Sequence, residues 1–254
     1  MLTKQALAWI TSVCCITLCG TAIAKNAPQS VDRNDRQQYF LIGDPAESAP
    51  QDGWGVLVVL PGGDGGAGFH PFVSNIAEQW APPGYLTVQL VALPGDPNLT
   101  WPTRHSLQRT KKQSFTTEAH LAAVLDEITE SLPDGVTLDP GRRLVLGWSS
   151  GGPPAYAITT DPQLGFRGAF VAMSIFPADT ADNLDADGKA FALLQSPQDR
   201  ITPWSHVARA EQALTQAGAA FWKRGYAGGH GWQGDSIAKL QAGLAWLDEQ
   251  VEAE

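Results

Sequence analysis

The chain has 254 residues, 43% of them hydrophobic, and a formal net charge of −9. That is length and apolar content enough for one domain with an ample core, and the acidic balance argues against nucleic acid and anionic membrane surfaces as main partners. All three cysteines, Cys14, Cys15 and Cys19, sit near the N-terminus, which excludes a disulfide scaffold for everything that follows.

In chain order, Lys4 is the only charge ahead of the mostly apolar run Ala6 to Cys19, and Ala22-Ile23-Ala24 then gives the small-x-small pattern of a signal-peptidase site. The expectation is a signal peptide over 1–24, cleaved after Ala24, and a secreted or periplasmic protein that begins at Lys25. The run is short for a membrane span and carries Ser and Thr. Leu18 and Val13 before Cys19 and Cys14 do not fit a lipoprotein site, so no stable membrane anchor is expected after cleavage. Residues 25–37 are polar and read as a loose leader, and 38–254 as a single domain without linkers or repeats.

Strands are expected near Tyr39–Ile42, Val56–Leu60, Leu86–Ala92, Arg143–Gly147, Ala169–Phe176, Ala190–Gln195 and Ala220–Tyr226. Helical stripes lie between and after them. Leu121, Leu125, Ile128 and Leu132 share one face of a helix that Thr117 is expected to cap, and Ile237, Leu240, Leu244, Leu247 and Val251 share a face of the last one. Alternating strands and helices imply a mostly parallel central sheet with helices on both faces. Too little chain separates Phe176 from Ala190 for a cap domain. The long connection Pro94 to Ser114, which contains Trp101, is expected to form a wall of the cleft.

The chemistry concentrates in three loops. Gly147-Trp148-Ser149-Ser150-Gly151 follows the apolar Leu144-Val145-Leu146 and leads into a helix, the strand–turn–helix context of a nucleophile elbow. Glycine is needed two residues either side of the nucleophile, where strand and helix backbones nearly touch. Ser149 has Gly147 and Gly151 there, whereas Ser150 has Trp148 on one side, so Ser149 is the candidate nucleophile. Ser150 is expected to contribute only its backbone N–H, which alanine would retain. Asp199 lies in the loop after the strand Ala190–Gln195, bounded by Pro203; Asp179, one strand earlier in a cluster of acids, is the alternative. His230, in Gly228-Gly229-His230-Gly231, is the candidate base. His206 also follows the acid but reads as a solvated helix residue. Pro61-Gly62-Gly63-Asp64-Gly65-Gly66 follows the strand Val56–Leu60 and is expected to supply the second oxyanion donor. That loop lacks the Gly-Lys-Ser/Thr ending of a phosphate loop and the acidic partner of a dinucleotide fingerprint.

Together these motifs resemble the α/β-hydrolases, and most of all the compact phospholipase/carboxylesterase-type serine esterases. In those a His-Gly-x-Gly-Asp loop follows the strand, and here Pro61 stands in place of its histidine. The resemblance spans about Tyr39 to Val251. It implies the α/β-hydrolase fold and ester hydrolysis through a Ser149–His230–Asp199 triad and an acyl-enzyme, with Gly63 and Ser150 as the oxyanion hole. A serine peptidase or acyltransferase would share every one of these residues. A non-catalytic binding module is the remaining class. The partner expected is a small-molecule or polymeric ester, and the sequence leaves the oligomeric state open.

Of the nine tryptophans, Trp101, Trp148 and Trp232 fall where they could line a binding groove, while Trp54, Trp222 and Trp246 read as core. No cofactor or metal is expected. There is no zinc-ligand spacing, and Asn183 to Gly188 begins like a calcium loop but has Leu194 where the last ligand belongs.

Overall fold

The structure is a computed structural model and describes residues 27–93, 100–106, 115–180 and 184–252. The expected signal peptide with its cleavage site, and most of the 94–114 connection, lie outside the described residues. Among those residues the strands are β1 (Gln29–Ser30), β2 (Gln38–Ile42), β3 (Trp54–Leu60), β4 (Tyr85–Val91), β5 (Leu138–Trp148), β6 (Gly168–Ala172), β7 (Ala190–Gln195) and β8 (Ala220–Gly225). The helices are α1 (His70–Asn75), α2 (Thr117–Ser131), α3 (Gly152–Thr159), α4 (Ser205–Gln216) and α5 (Ser236–Glu252).

The strands form one eight-stranded sheet in the order β1-β2-β4-β3-β5-β6-β7-β8. β1 and β2 run antiparallel to their neighbours, and β4, β3, β5, β6, β7 and β8 are mutually parallel. A continuous apolar run such as Val56–Leu60 needs cover on both faces, because successive side chains point to opposite sides. Val56, Val58 and Leu60 belong to one buried cluster with Leu121, Tyr156 and Leu214 of α2, α3 and α4, while Leu57 and Val59 belong to a second with Val73 of α1 and Leu240 and Leu244 of α5. The periodicity therefore sorts each helix to a face.

Four departures from the sequence expectations concern the fold. The leader is docked from Gln29 on: Gln29 and Ser30 pair with β2, and Val31 drops its one apolar side chain into the core. β5 begins at Leu138, before the Pro140-Gly141 pair, and its register against β3 shifts between Trp54 and Val56 to take up the irregularity. β6 ends at Ala172 rather than Phe176, because Met173 takes a left-handed φ of 40° that no strand accommodates. The cap of α2 is Thr116, whose Oγ1 accepts from the Ala119 N–H at 3.1 Å. Thr117 instead turns inward and donates its hydroxyl to the Pro102 carbonyl at 2.8 Å.

α2 also buries His120, edge-on to Phe115, and among the described residues its Nε2 has no hydrogen-bond partner. Burial drives its pKa down to about 4, against a smaller opposing pull from a hydrogen bond to the Gln38 backbone. The unfolded chain binds this proton near pH 6.5 and the native chain only near pH 4. Stability from this group is thus complete above pH 6.5 and falls by roughly 3 kcal/mol as the pH drops between those values. Melting temperature against pH should show that slope, and His120→Leu should flatten it; equal slopes in the two proteins would refute the assignment.

Candidate active site

The site lies at the C-terminal ends of the parallel strands, where β3, β5, β6, β7 and β8 each release a loop. β5 ends at Trp148, and a single tight turn over Ser149–Gly151 delivers the chain into α3. Ser149 sits there at a φ of 51°, a conformation that costs a non-glycine residue on the order of 1–3 kcal/mol. The neighbours hold it in place. A Cβ on Gly147 would stand 2.1 Å from the Gly151 carbonyl oxygen, and one on Gly151 would stand 2.0 Å from that of Leu60. Only glycine lets turn, strand and helix approach so closely. Ser174, just past β6, closes the arrangement by donating its hydroxyl to the Ser149 carbonyl at 2.6 Å.

His230 Nε2 lies 3.0 Å from Ser149 Oγ, and His230 Nδ1 lies 2.8 Å from Asp199 Oδ2. The three residues come from three distant loops and form one hydrogen-bonded chain. Asp199 is therefore the carboxylate on the imidazole; the Asp179 backbone belongs to a short turn over Ala178–Thr180.

The Asp199 side chain is 0% exposed, yet every direction around it offers a donor. Oδ1 accepts from the Ile201 and Thr202 amides at 2.8 and 2.9 Å. Oδ2 accepts from the Thr202 hydroxyl at 2.6 Å and from Gln195 Nε2 at 3.1 Å, besides His230. Burial pushes the carboxyl up, but the hydrogen bonds from Thr202, His230 and Ile201 outweigh it and hold Asp199 below the usual carboxylate range. An ionised carboxylate can only accept. The proton is then on His230 Nδ1, and Nε2 is left free to accept from the Ser149 hydroxyl.

The histidine loop is fixed by the same neighbourhood. Gly228 and Gly229 adopt φ values of 134° and 79°. The Gly229 N–H donates to Ser196 Oγ at 3.1 Å, and Tyr226 donates its hydroxyl to the Gly229 carbonyl at 2.7 Å. Burial and the nearby Asp199 charge push the Tyr226 phenol up to about 12, so it stays a donor.

The glycine loop after β3 abuts the nucleophile, since a Cβ on Gly62 would meet Ser149 Cβ at 3.0 Å. Gly63 and Ser150 are in direct contact: the Ser150 hydroxyl donates to the Gly63 carbonyl at 2.9 Å. Ser150 thus does more than carry an N–H, which corrects the expectation from sequence.

Of the expected groove residues, Trp101 and Trp148 are only 4% and 5% exposed, so neither offers a surface to a ligand. Trp101 lies beneath the glycine loop and donates its indole N–H to the Pro61 carbonyl at 3.0 Å. The connection that contains it is a buttress in its described part, not a cleft wall. Trp148 is the centre of an aromatic cluster, edge-on to Phe69, Phe72 and Trp232 at 5.7 Å. Phe69, Phe72 and Trp232 are partly exposed. His206 is not simply solvated; its Nδ1 accepts from the Phe176 N–H at 3.2 Å and pins the loop after β6. Burial, then the Arg209 charge, lower its pKa and keep it neutral for that task. Gln195, Thr202, Ser174 and Tyr226 were missed as site residues. The only sequence signal for any of them was a glutamine that ends an apolar run.

Searched by sequence, the chain matches no protein-family model and no curated protein. Its structure does match solved ones. MGS-M1, an α/β-hydrolase enzyme from a Medee basin deep-sea metagenome library, is 14% identical with a TM-score of 0.63, over 89% of this chain and 97% of that one. The fold is the α/β-hydrolase fold. The carboxylesterase of Bacillus cereus is 15% identical with a TM-score of 0.58, over 85% of this chain and 96% of that one. A thermophilic esterase from Thermogutta terrifontis is 16% identical with a TM-score of 0.60, over 91% and 94%.

The contacts at the elbow predict a sharp contrast among glycines. Gly151→Ala should cost at least about 3 kcal/mol, because backbone rather than a flexible side chain blocks its Cβ. Gly68→Ala, with nothing within 4 Å of the added carbon, should be close to neutral. Denaturant titration of the two variants decides it; similar midpoints would refute the close approach.

Proposed function

We propose that this protein is a carboxylic ester hydrolase that works through Ser149, His230 and Asp199. The observation that carries the reading is the continuous hydrogen-bonded chain from Ser149 Oγ through His230 to a fully buried, ionised Asp199. Ser149 Oγ attacks the ester carbonyl while His230 Nε2 takes its proton, and Asp199 holds the imidazole and stabilises the imidazolium. The N–H groups of Gly63 and Ser150 receive the oxyanion. Collapse of the tetrahedral intermediate expels the alcohol, which leaves with the proton from His230. Water then adds to the acyl-enzyme with His230 again as base, and the carboxylic acid departs.

Structural neighbours described as carboxylesterases and esterases support ester over amide as the substrate bond. The surroundings support an apolar ester. Ile175 and Ile201, 40% and 69% exposed, follow Ser174 and Asp199 in the two loops that hold the elbow and the acid. Phe69 and Trp232 stand partly open on the side of Gly63 and His230. Export belongs to the same reading: with its signal peptide removed after Ala24 the enzyme would meet its ester outside the cytoplasm.

Ser149→Ala should lower kcat on a nitrophenyl ester by roughly 10⁴-fold or more, and Asp199→Asn by roughly 10⁴-fold, while Asp179→Asn stays within about tenfold. An organophosphorus probe should label wild type and not Ser149→Ala; esterase 2 of Thermogutta terrifontis is itself phosphonylated by cyclosarin and phosphorylated by paraoxon. Failure to label would favour a non-catalytic module, and turnover of peptide anilides ahead of esters would favour a peptidase. Mass spectrometry of the protein exported by its native host should find Lys25 at the N-terminus. An intact Met1 would refute export by cleavage.

A further inference from the structure

The glycine loop after β3 has almost no side chains with which to hold itself, yet it must keep an N–H group aimed at a developing charge. Its carbonyls provide the anchorage. That of Pro61 accepts from the Trp101 indole, that of Gly62 from the Gly65 N–H at 3.0 Å, and that of Gly65 from the Ala92 N–H at 2.9 Å. The Gly63 carbonyl accepts two hydroxyls, from Thr100 Oγ1 at 2.8 Å and from Ser150 Oγ at 2.9 Å. In a trans peptide the N–H points opposite to the C=O, and the described backbone holds no cis bond. Turning the carbonyls into the scaffold therefore turns the N–H groups of Gly62, Gly63 and Asp64 the other way.

Gly63 is the position that needs outside support. Its φ is +60°, it is exposed, and a glycine has the widest conformational freedom of any residue. We propose that the hydroxyls of Ser150 and Thr100 are positioning groups of the oxyanion pocket, clamping Gly63 from two sides; this rests on the esterase reading above. Ser150 then serves twice. Its backbone carries one oxyanion donor, and its side chain grips the carbonyl of the residue that carries the other, so one amino acid bears on both donors. Thr100 adds the same restraint from the segment that Trp101 roots in the core. Neither hydroxyl touches the substrate, and neither takes a proton in the reaction.

A clamp of this kind acts on the transition state, because a neutral ester carbonyl gains little from donors that the oxyanion needs. Ser150→Ala and Thr100→Val should each lower kcat on a nitrophenyl ester about tenfold and together about a hundredfold, with KM within about twofold. The inhibition constant of phenylboronic acid, which forms a tetrahedral anionic adduct on a serine, should rise by the same factors as kcat falls. The melting temperature should hold, and Thr100→Ser, which keeps the hydroxyl, should retain near wild-type kcat. Unchanged kcat and boronate affinity in the double variant would overturn the clamp while leaving the esterase reading intact. So would a loss that appears in KM or as a lowered melting temperature, which would mark the hydroxyls as merely structural. A wild-type protein that neither hydrolyses esters nor labels with the organophosphorus probe would overturn the esterase reading, and the clamp with it.

Discussion

The contact between the Gly151 backbone and the Leu60 carbonyl is the constraint on which the site depends. It brings the end of β3 against the turn after β5, and so places the glycine loop beside Ser149 in the same stroke. It also holds Ser149 at a left-handed φ, with Ser174 closing the turn from β6. Three neighbouring strands thus meet at one residue. The strain stored there is small against the burial of the sheet around it, whose strands are apolar on both faces. That imbalance lets a serine persist where a glycine would be comfortable.

Asp199 makes the complementary case, in which polar groups rather than close backbones fix the geometry. A carboxylate removed from water is stable only with its lone pairs filled, and here Thr202, Ile201, Gln195 and His230 fill them. Those donors belong to the strand end, the acid's own loop and the histidine loop. Each therefore orients the other two, and the imidazole has one place to sit. Tyr226 and Ser196 repeat the pattern one step out, by tying the Gly229 peptide to the sheet and to the acid loop.

The parts legible in the sequence were those whose cause is local. Gly147 and Gly151 flank Ser149 because a Cβ at either would strike backbone, and that requirement appears as spacing in the chain. Apolar runs such as Val56–Leu60 and the stripe Leu240–Leu244–Leu247 betrayed the sheet and its cover in the same way. What stayed hidden was decided by partners far away. Trp101 looks identical in a groove or a core until the Pro61 carbonyl is found above its indole. Thr116 and Thr117 are the same residue side by side, and only Pro102, waiting across the fold, distinguishes cap from anchor. The left-handed turn at Met173 carries no local signal, since nothing about methionine favours it. The Ser150 hydroxyl was overlooked because the Gly63 carbonyl it meets lies on a different strand's loop.

The inward-facing carbonyls of the glycine loop have an electrostatic consequence. They leave a patch of backbone N–H groups that is positive by dipole, on a chain whose formal net charge is −9. Such a patch acts over a few ångströms, while the net charge is felt out to roughly the Debye length, about 8 Å at physiological ionic strength. For a neutral ester approaching the proposed site the long-range field is irrelevant, and the short-range dipoles seize its carbonyl oxygen. For the carboxylate that hydrolysis leaves behind, the same surroundings are repulsive as soon as it moves off the patch. The acidic surface would then speed product departure, and added salt would slow it.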